Sequence, residues 1–329
     1  SDGAANDYFS ENAVAVGSGR IVVGAYGDDD DEPESGSAYI FDLDGTQLAK
    51  IKPSVANLFV NFGNSVAVGS GRIVVGAYGD EDNGPVSGAA YIFDLDGNQL
   101  AKIKPSDGAN FDFFGFSVAV GSGKIVVGAY RDDDNGSDSG SAYIFDLDGT
   151  QLAKIKASDG ASYDNFGLSV AVGSGRIVVG AHRDADNGTA SGSAYIFDLD
   201  GTQLAKIKAS DGASSDYFGF SVAVGSGKIV VGAYGDGDNG SVSGSAYIFD
   251  LDGTQLAKID ASDGASLDYF GRSVAVGSGR IVVGASGDDD NGGTSGSAYM
   301  YNIGPGKDID YSEYIEDVLS GVITQHTRL

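Results

Sequence analysis

Residues 218–260 read FGFSVAVGSGKIVVGAYGDGDNGSVSGSAYIFDLDGTQLAKID. Four short runs rich in Val, Ile, Tyr and Phe alternate here with turn chemistry: 218–225, 229–234, 245–251 and 254–260. Each run has strand length, and Ser221-Val222-Ala223-Val224 alternates as a half-buried strand does. Asp252-Gly253, between the third and fourth runs, is a hairpin signal, because Gly enters the left-handed region without a Cβ clash.

The same pattern fills most of the chain. IVVGA occurs at 21–25, 73–77, 125–129, 177–181, 229–233 and 281–285, so its glycines recur every 52 residues without drift. Four antiparallel strands repeated at about 50 residues describe a propeller blade, whereas the rungs of a β-solenoid are shorter and parallel. The expected fold is therefore all-β: a six-bladed β-propeller of four-stranded antiparallel blades over residues 1–303. The sixth unit keeps SGSAYMYNI (295–303) but loses the DLDGTQLAKI continuation, and a tail, 304–329, stands in its place. Tyr311, Ile315, Val318, Leu319, Val322 and Ile323 fall at helical spacing, and Asp310 with Glu313 resembles a capping box. An amphipathic helix is predicted over 311–324, either covering the edge of blade six or docking on a neighbouring subunit.

Composition narrows the functional classes. The net charge of −27 repels nucleic acid and anionic membrane and favours cations or basic partners. The chain has no cysteine, which excludes disulfides, thiol catalysis and cysteine-based zinc sites. No apolar run approaches the roughly 20 residues of a membrane helix, so no membrane insertion is expected. Ser1 rather than Met opens the chain, as in a mature or trimmed product.

The string FGFSVAVGSGKIVVGAYGDGDNG…SGSAYIF resembles the FG-GAP repeats of integrin α-subunit propellers and of bacterial and phage surface proteins. Phe-Gly stands at 62–63, 114–115, 166–167, 218–219 and 270–271 and degenerates to Phe9-Ser10 in the first unit. The Gly-Ala of the second motif is present six times, followed by Tyr26, Tyr78, Tyr130, His182, Tyr234 or Ser286 instead of Pro. The likeness covers residues 8–301 and implies an extracellular or cell-surface propeller. Integrin-type repeats carry a calcium loop between the first and second strands. That hairpin is only Gly-Ser-Gly here, so the family's usual site is not carried over.

Acid stands instead between the second and third strands: DDDDE (28–32), DEDNG (80–84), DDDNG (132–136), DADNG (184–188), DGDNG (236–240) and DDDNG (288–292). Positions one and three are Asp in every copy: Asp28, Asp30, Asp80, Asp82, Asp132, Asp134, Asp184, Asp186, Asp236, Asp238, Asp288 and Asp290. Hard oxygen ligands at alternating positions, with a Gly for the sharp turn, suit Ca2+. Asp, Asn and Gly are equally the residues that solvated turns prefer, and that reading stays open beside the first. In an up-and-down blade this loop shares its face with the inter-blade link. The links add Asp107, Asp112, Asp159, Asp164, Asp211, Asp216, Asp263 and Asp268, while Val55 and Val60 replace the pair in the first link. Asp250 belongs to the opposite face, where Arg20, Arg72, Lys124, Arg176, Lys228 and Arg280 are placed to pair with neighbouring Asp-Leu-Asp-Gly turns.

No catalytic set emerges. His182 and His326 are the only histidines, and no G-x-S-x-G elbow accompanies them. Six equivalent acidic loops speak for symmetric architecture rather than one glycosidase-like centre. Asn135, Asn187 and Asn239 match the N-glycosylation pattern, which turn chemistry explains equally well. The expected function is a non-catalytic extracellular binding or adhesion module whose acidic face meets a protein or glycan. The alternative is a structural subunit of a virion or surface filament, assembled through the propeller faces and the tail.

Overall fold

The computed structural model describes residues 7–29, 32–53, 58–289 and 295–303. The predicted helix at 311–324 and the loop residues Asp30 and Asp290 lie outside the described residues.

Six antiparallel sheets follow one another along the chain, each strand pairing with the next. Blade three is representative, with strands Ser117–Gly121, Lys124–Ala129, Ser141–Phe145 and Gln151–Ile155. The first hairpin closes on Ser122 and Gly123, both in the left-handed region, with Gly121 paired to Lys124. This is the mirror-image two-residue turn whose twist matches that of the strands. At the Asp-Leu-Asp-Gly corner, Asp146 Oδ1 accepts from the Asp148 and Thr150 amides, an Asx turn. The IVVGA strand is the second in each blade and is buried on both faces in blades two to five, which explains its unbroken apolar run.

Blade six differs, as its sequence predicts. Among the described residues it has three strands: Phe270–Gly277, Arg280–Ala285 and Ser297–Asn302.

The cores lie between blades. At the junction of blades three and four, Val126, Ala142, Ile144 and Ile155 meet Phe166, Ile177, Val179 and Tyr195. Equivalent cores occupy the other four successive junctions. Close approach requires glycine: a Cβ on Gly121 would strike the Val172 carbonyl of the next blade, and one on Gly225 would strike that of Val276. On the rim opposite the acidic loops, Arg20, Arg72 and Arg176 donate through Nε to Leu95, Leu147 and Leu251 of the following blade. Their guanidinium groups lie 3.6, 3.4 and 3.6 Å from Asp96, Asp148 and Asp252, the expected pairing.

No such core joins blade six to blade one among the described residues. A Cβ on Gly277 would meet nothing, and Val14 and Val16 of the first strand are 55% and 66% exposed. On blade six, Val282 and Met300 are exposed, whereas their blade-five equivalents Val230 and Ile248 are fully buried. Arg280 turns to the Met300 sulfur of its own blade. Among the described residues, the six blades thus form five packed junctions, and nothing covers the outer faces of blades one and six.

Candidate functional site

The acidic loop and the inter-blade link share one face, as the strand order requires. The link amides of Phe111, Tyr163, Ser215 and Leu267 donate to loop carbonyls of the preceding blade: Pro85, Ser137, Thr189 and Ser241. Each loop therefore sits against the link entering the next blade.

The two Asp positions behave differently. Position one is buried: Asp28, Asp80, Asp132, Asp184, Asp236 and Asp288. Its carboxylate faces the third-strand tyrosine, with Tyr39, Tyr91, Tyr195, Tyr247 and Tyr299 hydroxyls 2.7–3.2 Å away. Position three stays near solvent, with the side chain of Asp238 61% exposed. In the same loop the amide of position three donates to the first carboxylate, as Asp134 does to Asp132 Oδ1 at 3.1 Å. Five-fold recurrence of Asn at position four also has a use. Asn135 Nδ2 donates to the Ala157 carbonyl at the start of the next link, and Asn83 Nδ2 to that of Pro105.

A third carboxylate arrives from the incoming link. Asp159, Asp184 and Asp186, and likewise Asp211, Asp236 and Asp238, bring carboxylate oxygens within 4.8 Å of one another, groupings that can hold a metal ion. The centre of each grouping already contains a cation. Lys206 Nζ lies 2.8 Å from Asp159, Asp184 and Asp186 alike. Lys258 Nζ lies 2.8, 3.0 and 2.6 Å from Asp211, Asp236 and Asp238. Blade three repeats this around Lys154, at 2.8 Å from Asp107, Asp132 and Asp134. In blades one and two, Lys50 pairs with Asp28 and Lys102 with Asp80 and Asp82.

The donor chemistry suits a hard cation, and the available position is filled by an ammonium. Calcium therefore fits the triad only where the lysine is withdrawn. Burial by itself would lower the Lys154 and Lys206 ammonium groups, but hydrogen bonds to their three carboxylates outweigh it and hold both above the usual lysine range. The Lys206 hydrogen bond keeps Asp186 below the ordinary carboxylate range, and Lys154 does so for Asp134. The Tyr195 hydroxyl, 2.9 Å from both Asp159 and Asp184, has one proton to give and serves one of them at a time. Burial and the adjacent Asp184 charge push that phenol well up.

The second link aspartate has another role. Asp112, Asp164, Asp216 and Asp268 each accept from an amide three residues earlier, at 2.6–2.7 Å, and so shape the link. Burial raises Asp112 and Asp164 to about 6.

The lysines and tyrosines completing the cluster are not part of the acidic motif, and the acidic pattern alone does not point to them. Their signal is periodic. Lys50, Lys102, Lys154, Lys206 and Lys258 each follow the first loop Asp by 22 residues, inside TQLAKI or its variant NQLAKI. His182 takes no part in the cluster: it is buried between Tyr217 and Phe220, its Nδ1 has no partner among the described residues, and burial depresses it to about 3.

The link also places apolar side chains in solvent. Phe59, Phe111, Tyr163 and Leu267 occupy one equivalent position, each more than half exposed. All four have left-handed backbone, with φ of 58°, 65°, 72° and 73°. Between them, at Ser215, the surface opens into a cavity of about 600 Å3 lined by Asp211, Asp216, Tyr217, Asp236, Asp238 and Val242.

Six sheets of one repeated pattern, joined blade to blade with acidic loops on a single face, define a β-propeller of the repeat-built kind. The FG-GAP repeat family matches residues 1–41, 46–93, 98–145, 150–197, 202–249 and 254–301, and the chain belongs to that family. No curated protein matches the chain. Family membership bears out the Phe-Gly and Gly-Ala motifs, and with them the fold.

Proposed function

We propose that the chain is a non-catalytic binding module, extracellular or surface-borne, whose protein or glycan partner docks on the face formed by the acidic loops and inter-blade links. The observation that carries this reading is the row Phe59, Phe111, Tyr163 and Leu267. Bulky residues avoid the left-handed region, which costs them roughly 1 kcal/mol or more each. Exposed side chains held there gain nothing for the core, so contact with a partner is their best account. The carboxylates around them give the face a charge suited to cationic protein surfaces or to sugar hydroxyls. FG-GAP propellers are typically binding or structural modules of extracellular and surface proteins. Among the described residues no helix is long and apolar enough to cross a membrane.

Calcium would enter this reading only at the two triads, Asp159, Asp184 and Asp186, or Asp211, Asp236 and Asp238, and only once the lysine that fills each is withdrawn. It would add a divalent charge to which a partner's oxygens can bind.

The test is binding of the labelled chain to glycan arrays and to arrays of cationic peptides, each in calcium and in chelator. A triple variant, Phe111→Ser with Tyr163→Ser and Leu267→Ser, is expected to lose the captured signal while melting as the parent does. Undiminished capture by that variant would remove the face from consideration.

A further inference from the structure

We infer that in blades one to five the resident cation of the acidic loops is the fourth-strand lysine, so that a tethered ammonium stands where a calcium ion would otherwise be needed and those blades require no metal. The position of Nζ carries this inference. An ammonium has three protons, and in blades three and four it directs them at three carboxylates, every N···O distance being 2.8 Å. The ammonium also lies over an aromatic face: Lys154 Nζ lies 5.2 Å from the Tyr143 ring centroid and Lys206 Nζ 5.3 Å from that of Tyr195. Lysine, loop and tyrosine belong to one blade, so the cation is built in when the sheet forms.

Charge bookkeeping supports the same conclusion. In blade four, Asp159, Asp184 and Asp186 face Lys206, and Lys208 lies 3.3 Å from Asp186. Three negative and two positive charges leave one negative charge, most of it at the solvent edge. A divalent ion entering that site must first break three charge-assisted hydrogen bonds and expel a half-buried ammonium. The acidic loop of each blade with a complete fourth strand carries its lysine at the same 22-residue offset. The alternating Asp pattern therefore encodes an internal ion cluster, which also explains why position two is free to be Asp, Glu, Ala or Gly.

The experiment compares thermal melting of the full chain, with and without Lys206→Met, in millimolar calcium and in chelator. Terbium luminescence excited through tyrosine supplies a second readout, with Tyr195 beside the triad as antenna. The wild type is expected to melt at the same temperature in both buffers, to within about 1 °C. Lys206→Met retains the length of the chain and removes the charge. It is expected to melt lower in chelator, to recover in calcium, and to gain tyrosine-sensitised terbium emission that Asp184→Asn abolishes. A wild-type midpoint that falls in chelator overturns the inference, as does a folded Lys206→Met that melts lower yet answers to neither ion. If Lys206→Met fails to fold in either buffer, the two wild-type melts decide alone. Loss of partner binding in the face variant above leaves these outcomes unmoved, so the two readings fail separately.

Discussion

Lys206 Nζ and Asp184 Oδ2 stand 2.8 Å apart, with the acid side chain 4% and the lysine side chain 15% exposed. A pair this enclosed is poor evidence of net stabilisation, since both ions have lost hydration. Removing one partner is a different matter. Lys206→Ala strands a buried carboxylate and is expected to cost about 3 kcal/mol. Asp184→Asn leaves the lysine with Asp159 and Asp186 and is expected to cost less than half of that. Urea titration of both single variants and the double variant measures the coupling.

Gly121 and Gly277 end the first strands of blades three and six, yet among the described residues only the former has a blade packed against it. Gly121→Ala is expected to destabilise by about 1–3 kcal/mol, because the new methyl meets the Val172 carbonyl. Gly277→Ala is expected to fall within about 0.5 kcal/mol of the parent. Equal losses at the two sites would mean that blade six is covered in solution.

Replacing Phe111 by Gly relieves a left-handed backbone at an exposed site. Its melting temperature is expected to hold or to rise slightly, since the relief of strain of about 1 kcal/mol is offset by the entropy glycine gains when unfolded. A large loss of stability would show that the ring is a packing residue and would weaken its assignment to a partner.

Two groups of titrations oppose one another below pH 7. His182, depressed to about 3 in the fold, stays neutral while the unfolded chain takes up a proton near pH 6.5, so stability falls as pH drops from there. Asp112 and Asp164, raised to about 6, bind protons first in the folded state, so stability rises as pH drops from about 6 towards 4. His182→Phe removes the first contribution and an unpartnered buried nitrogen. Its advantage over the parent is expected to widen steadily from pH 7 to pH 4 in chemical denaturation. Below about 4, the lysine-paired Asp134 and Asp186, held low in the fold, lose their contribution as they protonate, and all variants should weaken together.

Much of this molecule is legible in one dimension. The 52-residue recurrence of IVVGA, the Ser-Gly and Asp-Gly turns and the four runs per unit determine strands, hairpins and blade count, because those depend on local backbone preference and on a period of two. That the sixth unit lacks the DLDGTQLAKI continuation is readable for the same reason, as is the placement of loops and links on one face. The acidic motif, by contrast, has one appearance and two meanings. Asp184 and Asp186 look equivalent along the chain, yet one is buried under Tyr195 and the other stands at the rim. Lys206, 22 residues beyond Asp184, reaches both only because the fourth strand folds back beside the third. Whether the last blade meets the first is likewise no property of a repeat. Identical units specify how neighbours pack, and only the accumulated geometry of five junctions decides what lies beside Gly277 and Val16.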